Sequence, residues 1–283
     1  MTDTPSSPIP EPLREIPDPP KQLFVRGQLP SFDDYVYLTI VGSRTYTNYG
    51  KEVCETLIKG LAGYPIVIVS GLALGIDTIA HHSALRHKLK TVAMPGSGLS
   101  DAAIYPASNI GLAREILQAG GALVSEFKPD QESAPWTFPR RNRLMAGISQ
   151  ATLVIEATNK SGTRITAKLA TEYNRDVFAV PGNIFSESSS GSNQLLREGA
   201  TPITCAQDIL REFGFDTDIE NPAETLSDCT DEEKSVLALL ASPTPRGELI
   251  RSLDMKTHEA NALLSMMEIK GLIHESMGEI RRV

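Results

Sequence analysis

The sequence predicts an α/β protein: a doubly wound parallel sheet with helices on both sides, followed by a small C-terminal winged-helix domain. Two observations carry the first part and one the second. Ile66-Val67-Ile68-Val69 is a run of four β-branched apolar residues, the mark of a strand buried on both faces. Similar runs alternate with helical patterns from Tyr35 to Val180, as a parallel sheet with crossover helices requires. Beyond an acidic stretch, three short helical patterns and a hairpin fall within about 50 residues, which fits a winged helix.

In chain order, residues 1–22 hold too many prolines for helix or sheet, and they read as a disordered or extended leader. Leu23-Phe24-Val25 and Tyr35 to Val41 are extended apolar runs. Val53, Leu57 and Leu61 recur at four-residue spacing, so Tyr49 to Leu61 is an amphipathic helix. Strand 66–69 leads through Ser-Gly-Leu-Ala-Leu-Gly-Ile-Asp, residues 70–77, into a helix over 76–88. Strand 91–94 leads through a Pro-Gly-Ser-Gly loop to a helix near 108–119, and strand 122–124 follows. Residues 139–149 read as helix, 152–155 as strand, 163–173 as helix and 177–180 as strand. The domain expectations are a leader over 1–22, a sheet domain over 23–213, an acidic linker over 214–230 and a winged helix over 231–283.

The 283 residues are enough for a medium domain and a small one. A net charge of −8 argues against a histone-like binder, so any anion site must be a local cluster of Lys and Arg. Three well-separated cysteines, Cys54, Cys205 and Cys229, point to a reduced, cytoplasmic setting. No signal peptide and no membrane segment is evident. His81, His82 and His87 share one helix without metal-ligand spacing, so no metal and no cofactor is expected.

In such sheets ligands bind at the carboxyl ends of the strands, and four loops there suit an anion. The first is Gly42-Ser43-Arg44. The second holds Ser70, Gly71 and Gly75 and opens a helix, whose free amides and dipole attract negative charge. The third, Phe138 to Arg143, sets Arg140, Arg141 and Arg143 around Asn142. The fourth runs through Lys160, Ser161, Gly162, Thr163 and Arg164. Each has a structural explanation of its own: Arg44 as a surface ion pair, Asp77 as a helix cap, Arg141 and Arg143 as a solvated face. Their meeting on one sheet edge is the more specific signal. Phe138 and Tyr105 suit stacking on unpaired bases, as aromatic residues do in single-strand binders; Phe138 equally suits covering the edge of the core, the role expected of Trp136. No GxGxxG, GxxxxGK[ST] or nucleophile elbow is present, and no catalytic base stands out.

These motifs resemble one family. VGSR at 41–44, SGLALGIDTIAH at 70–81, FPRRNRLMAGIS at 138–149, EATNKSGTRITAKLA at 156–170 and FAVPG at 178–182 are similar, in order and spacing, to the DNA-processing protein A family, DprA or Smf. The resemblance implies an extended Rossmann-like fold that binds single-stranded DNA, forms a homodimer, loads the RecA recombinase in natural transformation and is not an enzyme. It implies a pocket of Gly42, Ser43 and Arg44, of Arg141, Asn142 and Arg143, and of Lys160, Ser161 and Gly162. Three features depart from the family: Arg164 stands where a small or aliphatic residue is usual, the proline-rich leader stands where some members have a helical domain, and Glu259 and Glu268 make the last domain's third helix acidic. Such a helix suits a protein partner better than a DNA groove. The alternative is a nucleotide-binding Rossmann enzyme cleaving nucleoside monophosphates, whose PGGxGTxxE run is replaced here by EATNKSGTRITAK.

Overall fold

The computed structural model of the protein describes residues 6–215, 230–240, 242–253, 255–276 and 278–282. The chain divides into two compact units, Met1–Asp216 and Thr217–Val283. The expected acidic linker, apart from its ends, lies outside the described residues.

In the first unit a nine-stranded sheet is described. Its strands are β1 (Ser6–Ser7), β2 (Leu23–Gly27), β3 (Val36–Val41), β4 (Ile66–Ser70), β5 (Lys90–Ala93), β6 (Ala122–Ser125), β7 (Ala151–Val154), β8 (Asp176–Ala179) and β9 (Thr201–Pro202). They lie in the order β1-β2-β6-β5-β4-β3-β7-β8-β9. All neighbours from β6 to β9 are parallel, while β2 and β1 add an antiparallel edge. Burial alternates between the two faces with period two along the central strands. In β3 and β4, Leu38, Ile40, Ile66 and Ile68 face one layer, while Tyr37, Val41, Val67 and Val69 face the other.

The first layer holds α2 (Asn48–Gly60), α3 (Ile76–Arg86) and α8 (Ala206–Glu212), through residues such as Leu57, Ile79 and Ile209. The second holds α1 (Glu11–Arg14), α5 (Thr137–Ile148), α6 (Thr163–Glu172) and α7 (Ser190–Arg197), through Leu13, Leu144, Ala167 and Leu195. Helix α4 (Ile110–Gln118) packs Leu112 and Ile116 near β6. Thr47 caps α2 by accepting a hydrogen bond from the Gly50 amide. No helix among the described residues is long and apolar enough to cross a membrane.

The leader differs from its expectation. Residues 6–22 are laid down on the sheet domain: β1 pairs with β2, and Leu13 and Ile16 are buried. The prolines do not prevent this, because Pro10 caps α1 and Pro12 sits in its first turn, where a missing N–H costs nothing. Leu13 and Ile16, three residues apart, share a face, and Gly147 of α5 lets them approach; a Cβ there would come within 2.6 Å of Ile16 Cγ2.

The second unit contains α9 (Asp231–Leu239), α10 (Arg246–Ser252) and α11 (Thr257–Ile269). Strands β10 (Thr244–Pro245), β11 (Ile273–Ser276) and β12 (Glu279–Arg282) form an antiparallel sheet in the order β10-β12-β11. Its core joins Val236, Leu249, Leu264, Met267, Ile273 and Ile280. Thr230 and Glu233 form a reciprocal capping box at the start of α9, and Glu233 also pairs with Lys270 at 2.7 Å.

Candidate nucleic-acid interface

The strand order reverses at β3. From there the chain winds through β4, β5 and β6 in one direction, and from the adjacent β7 it winds through β8 and β9 in the other. The loops leaving β3 and β7 therefore part, and a crevice opens at their carboxyl ends. It measures about 480 Å³ and is lined by Gly42 to Thr45 after β3, by Thr158 and Ser161 to Thr163 after β7, and by Phe138, Arg141 and Asn142 of α5. The first and fourth anion-suited loops meet directly here: the Thr163 hydroxyl donates to the Gly42 carbonyl at 3.1 Å.

Within the crevice the β3 loop is a tight turn, with the Ser43 hydroxyl donating to the Thr45 carbonyl and accepting from the Thr45 amide. Arg44 is exposed and has no ion pair among the described residues. Its guanidinium lies 5.4 Å above the Phe138 ring, and the Tyr105 ring meets Phe138 edge-on at 5.9 Å. Asn142 gives its carbonyl oxygen to Arg141 Nε at 3.1 Å, which leaves its amide hydrogens for the crevice. Ser161 accepts from the Thr163 amide at the start of α6, and Gly162 beside it leaves open space.

The second loop behaves otherwise. The amides of Gly71 and Ala73 donate to the Asp77 carboxylate, at 3.1 and 3.4 Å, so the anion at this helix start belongs to the protein itself. Ser70 is buried and donates to the Ile40 carbonyl at 2.7 Å. Gly71 permits the close approach of Arg141, since a Cβ would lie 2.0 Å from its Nη1. Gly75, at φ +87°, would set a Cβ 2.3 Å from the Ser43 carbonyl oxygen. Of the three residues expected as ligand contacts, Ser70 is tied to β3, Gly71 makes room for Arg141 and Gly75 backs the β3 loop.

The arginine cluster is likewise divided. Arg141 is buried at the crevice floor, donating to the carbonyls of Gly71, at 2.5 Å, and Met94. Burial pushes its pKa down to about 10, against the pull of Asp77. Arg143 does not reach the crevice. Its side chain is 6% exposed and pairs with Glu126, itself 7% exposed, while also donating to the Asp18 carbonyl at 2.6 Å. Arg140 joins Glu126 from the solvent side at 3.3 Å. Helical spacing explains the outcome: Arg141 and Arg143 are two positions apart and point to different sides of α5.

Lys160 and Arg164 open onto a neighbouring cleft of about 910 Å³, where Arg164 is paired with Glu198 at 2.8 Å. Trp136, expected in the core, is 54% exposed and packs edge-on against Phe127. The sequence assigns no role in the site to Glu126 or Asp18, which lie 17 and 125 residues from Arg143; the fold alone brings them to it. Among the described residues no group of three or more His, Cys, Asp or Glu is placed to hold a metal.

The family model for DNA recombination-mediator protein A matches residues 3–214. Protein Smf of Escherichia coli is 40% identical over 206 residues, covering 73% of this chain and 54% of that protein. DNA processing protein DprA of Streptococcus pneumoniae is 41% identical over 203 residues, covering 72% and 70%. The chain thus spans about half the length of the first relative and about two thirds of the second. The crystal structure of S. pneumoniae DprA superposes with a TM-score of 0.68 at 38% identity, over 75% of each chain. A structure of Helicobacter pylori DNA processing protein A, described for its single-stranded DNA binding mode, superposes with a TM-score of 0.67 at 34% identity, over 73% of this chain and 93% of that one. With its family model matched across the whole sheet unit, the chain belongs to the DNA recombination-mediator protein A family.

Proposed function

We propose that the protein is a recombination mediator that holds single-stranded DNA in the crevice between β3 and β7 and loads a RecA recombinase onto it. The observation that carries this reading is Arg44: an exposed guanidinium without a carboxylate partner among the described residues, poised over an aromatic ring at the topological switch point. An unpaired cation beside a stacking platform suits a phosphate and its neighbouring unstacked base together. The single-strand binding described for the H. pylori relative supports it. Ser43, Asn142, Ser161, Gly162 and Thr163 contribute polar contacts around the phosphate, and Lys160 a second cation in the neighbouring cleft.

The protein acts by binding and not by catalysis. Asp77 is the carboxylate on the crevice lining, and it is buried with Gly71 and Ala73 donating to it. It is poorly placed to move a proton on a nucleotide, which disfavours cleavage of nucleoside monophosphates. Homodimerisation, a cytoplasmic setting and a winged-helix identity for the second unit belong to the same reading. Glu259 and Glu268 on α11, with Met266 and Ile269 exposed beside them, favour a protein partner for that unit.

Fluorescence anisotropy of a labelled single-stranded oligonucleotide at two salt concentrations tests the proposal. Binding should weaken with salt and be abolished by Arg44→Glu. Salt-independent binding, or full affinity in Arg44→Glu, would move the strand elsewhere.

A further inference from the structure

The loop after β8 carries the most exposed pair of large apolar side chains in the first unit: Ile184 is 82% and Phe185 91% exposed. Single exposed apolar residues are ordinary, but this pair sits on a turn built to present it. The Asn183 side chain accepts from the Phe185 amide at 2.9 Å, and its carbonyl accepts from the Ser186 amide at 3.0 Å. The base of the loop is pinned, because Gly182 and Asn193 exchange two hydrogen bonds and the Tyr49 hydroxyl donates to the Pro181 carbonyl at 2.6 Å.

The base of this loop borders a cleft next to the crevice. Thr45 and Thr158 line the crevice, while Thr47 and Glu156, two positions away on the same segments, line an adjoining cleft of about 600 Å³ that continues to Pro181 and Ser186. Glu156 joins the two walls, accepting from the Thr47 amide and hydroxyl and from Ser188. No Lys or Arg is among the residues lining the adjoining cleft. Its chemistry is therefore that of stacking and hydrogen bonding, without a seat for phosphate.

We propose that Phe185 is a second stacking station, where an unpaired base of the strand leaving the crevice toward β8 lies on the exposed ring. The inference rests on the single-strand reading above and extends the bound length beyond Arg44 and Phe138. An apolar ring held out by a pinned turn loses little conformational freedom when a base covers it. Because no cation is involved, the contact adds affinity without adding to the salt dependence.

The test compares oligothymidylates of about four and about twelve nucleotides. For Phe185→Ala the expected result is a roughly ten-fold weaker affinity for the longer strand, with unchanged affinity for the shorter one and an unchanged salt slope for both. In Phe185→Trp, fluorescence in excess of the native protein's should be quenched by the longer strand only. Equal affinity of Phe185→Ala and native protein for the longer strand would overturn the inference, as would equal losses for both lengths or a reduced salt slope. Intact strand binding with loss of recombinase association would assign the tip to the protein partner and overturn it too. If the native protein bound neither strand, the single-strand reading itself would fail, a result distinct from a Phe185-specific one.

Discussion

Replacing Arg143 with alanine separates a ligand role from a structural one. The Arg143–Glu126 pair is nearly dry, with side chains 6% and 7% exposed, and Arg143 also holds the leader through the Asp18 carbonyl and, at 3.4 Å, its carboxylate. Removing one partner of a buried pair costs about 3–5 kcal/mol, mostly because the other charge stays buried. Here Glu126 keeps Arg140 at 3.3 Å, which places the loss near about 3 kcal/mol. At roughly 2–4 °C per kcal/mol for a unit of this size, the melting temperature should fall by about 6–12 °C in scanning calorimetry. Glu126→Gln added to Arg143→Ala should recover part of the loss, because the stranded charge is gone. Below the transition, strand affinity and its salt slope should match those of the native protein. An unchanged melting temperature together with a shallower salt slope would refute the reasoning and make Arg143 a phosphate ligand.

Arg44→Ala should do the reverse: stability within about 0.5 kcal/mol of native, and a salt slope reduced by about 0.7 for one lost phosphate contact. Gly71→Ala forces a Cβ against Arg141 Nη1 and should cost roughly 1–3 kcal/mol or more in denaturant unfolding. His81 is buried and its pKa is held down, from the ordinary 6.5 to about 3, chiefly by burial. Folded protein therefore does not take up the proton that the unfolded chain binds below pH 6.5, and stability falls as pH drops from there toward 3. Between pH 7 and pH 5 the loss should be about 2 kcal/mol, and His81→Gln should flatten that part of the profile.

The sheet strands were legible because a strand covered on both faces writes itself as an uninterrupted β-branched run, as at Ile66 to Val69. The crevice was legible only in part. That ligands sit at strand carboxyl ends follows from the alternation of elements, but the pairing of β3 with β7 joins Leu38 to Ala151, and no local pattern announces it. The leader was misread for the opposite reason. Its prolines argue against regular structure, while the three-residue spacing of Leu13 and Ile16, the signal of a packed turn, spans too few residues to stand out.

The basic loops show most sharply what residue types reveal and what they conceal. Arg44 reads as a ligand, and the fold leaves it exposed over Phe138 with no ion pair among the described residues. Arg141 and Arg143 read the same way, yet their partners lie far along the chain: Gly71 is 70 residues from Arg141, and Glu126 and Asp18 are 17 and 125 residues from Arg143. A cation's availability depends on those partners: of the four expected phosphate contacts, Arg44 and Lys160 are exposed, Arg143 is ion-paired with Glu126, and Arg141 is buried in the crevice floor against backbone carbonyls. Direct phosphate contacts are correspondingly few, and tight holding of the proposed strand calls for stacking at Phe138 as well. If the strand is handed on to a recombinase as proposed, such divided binding has a physical use, because contacts that are individually weak can be released one at a time.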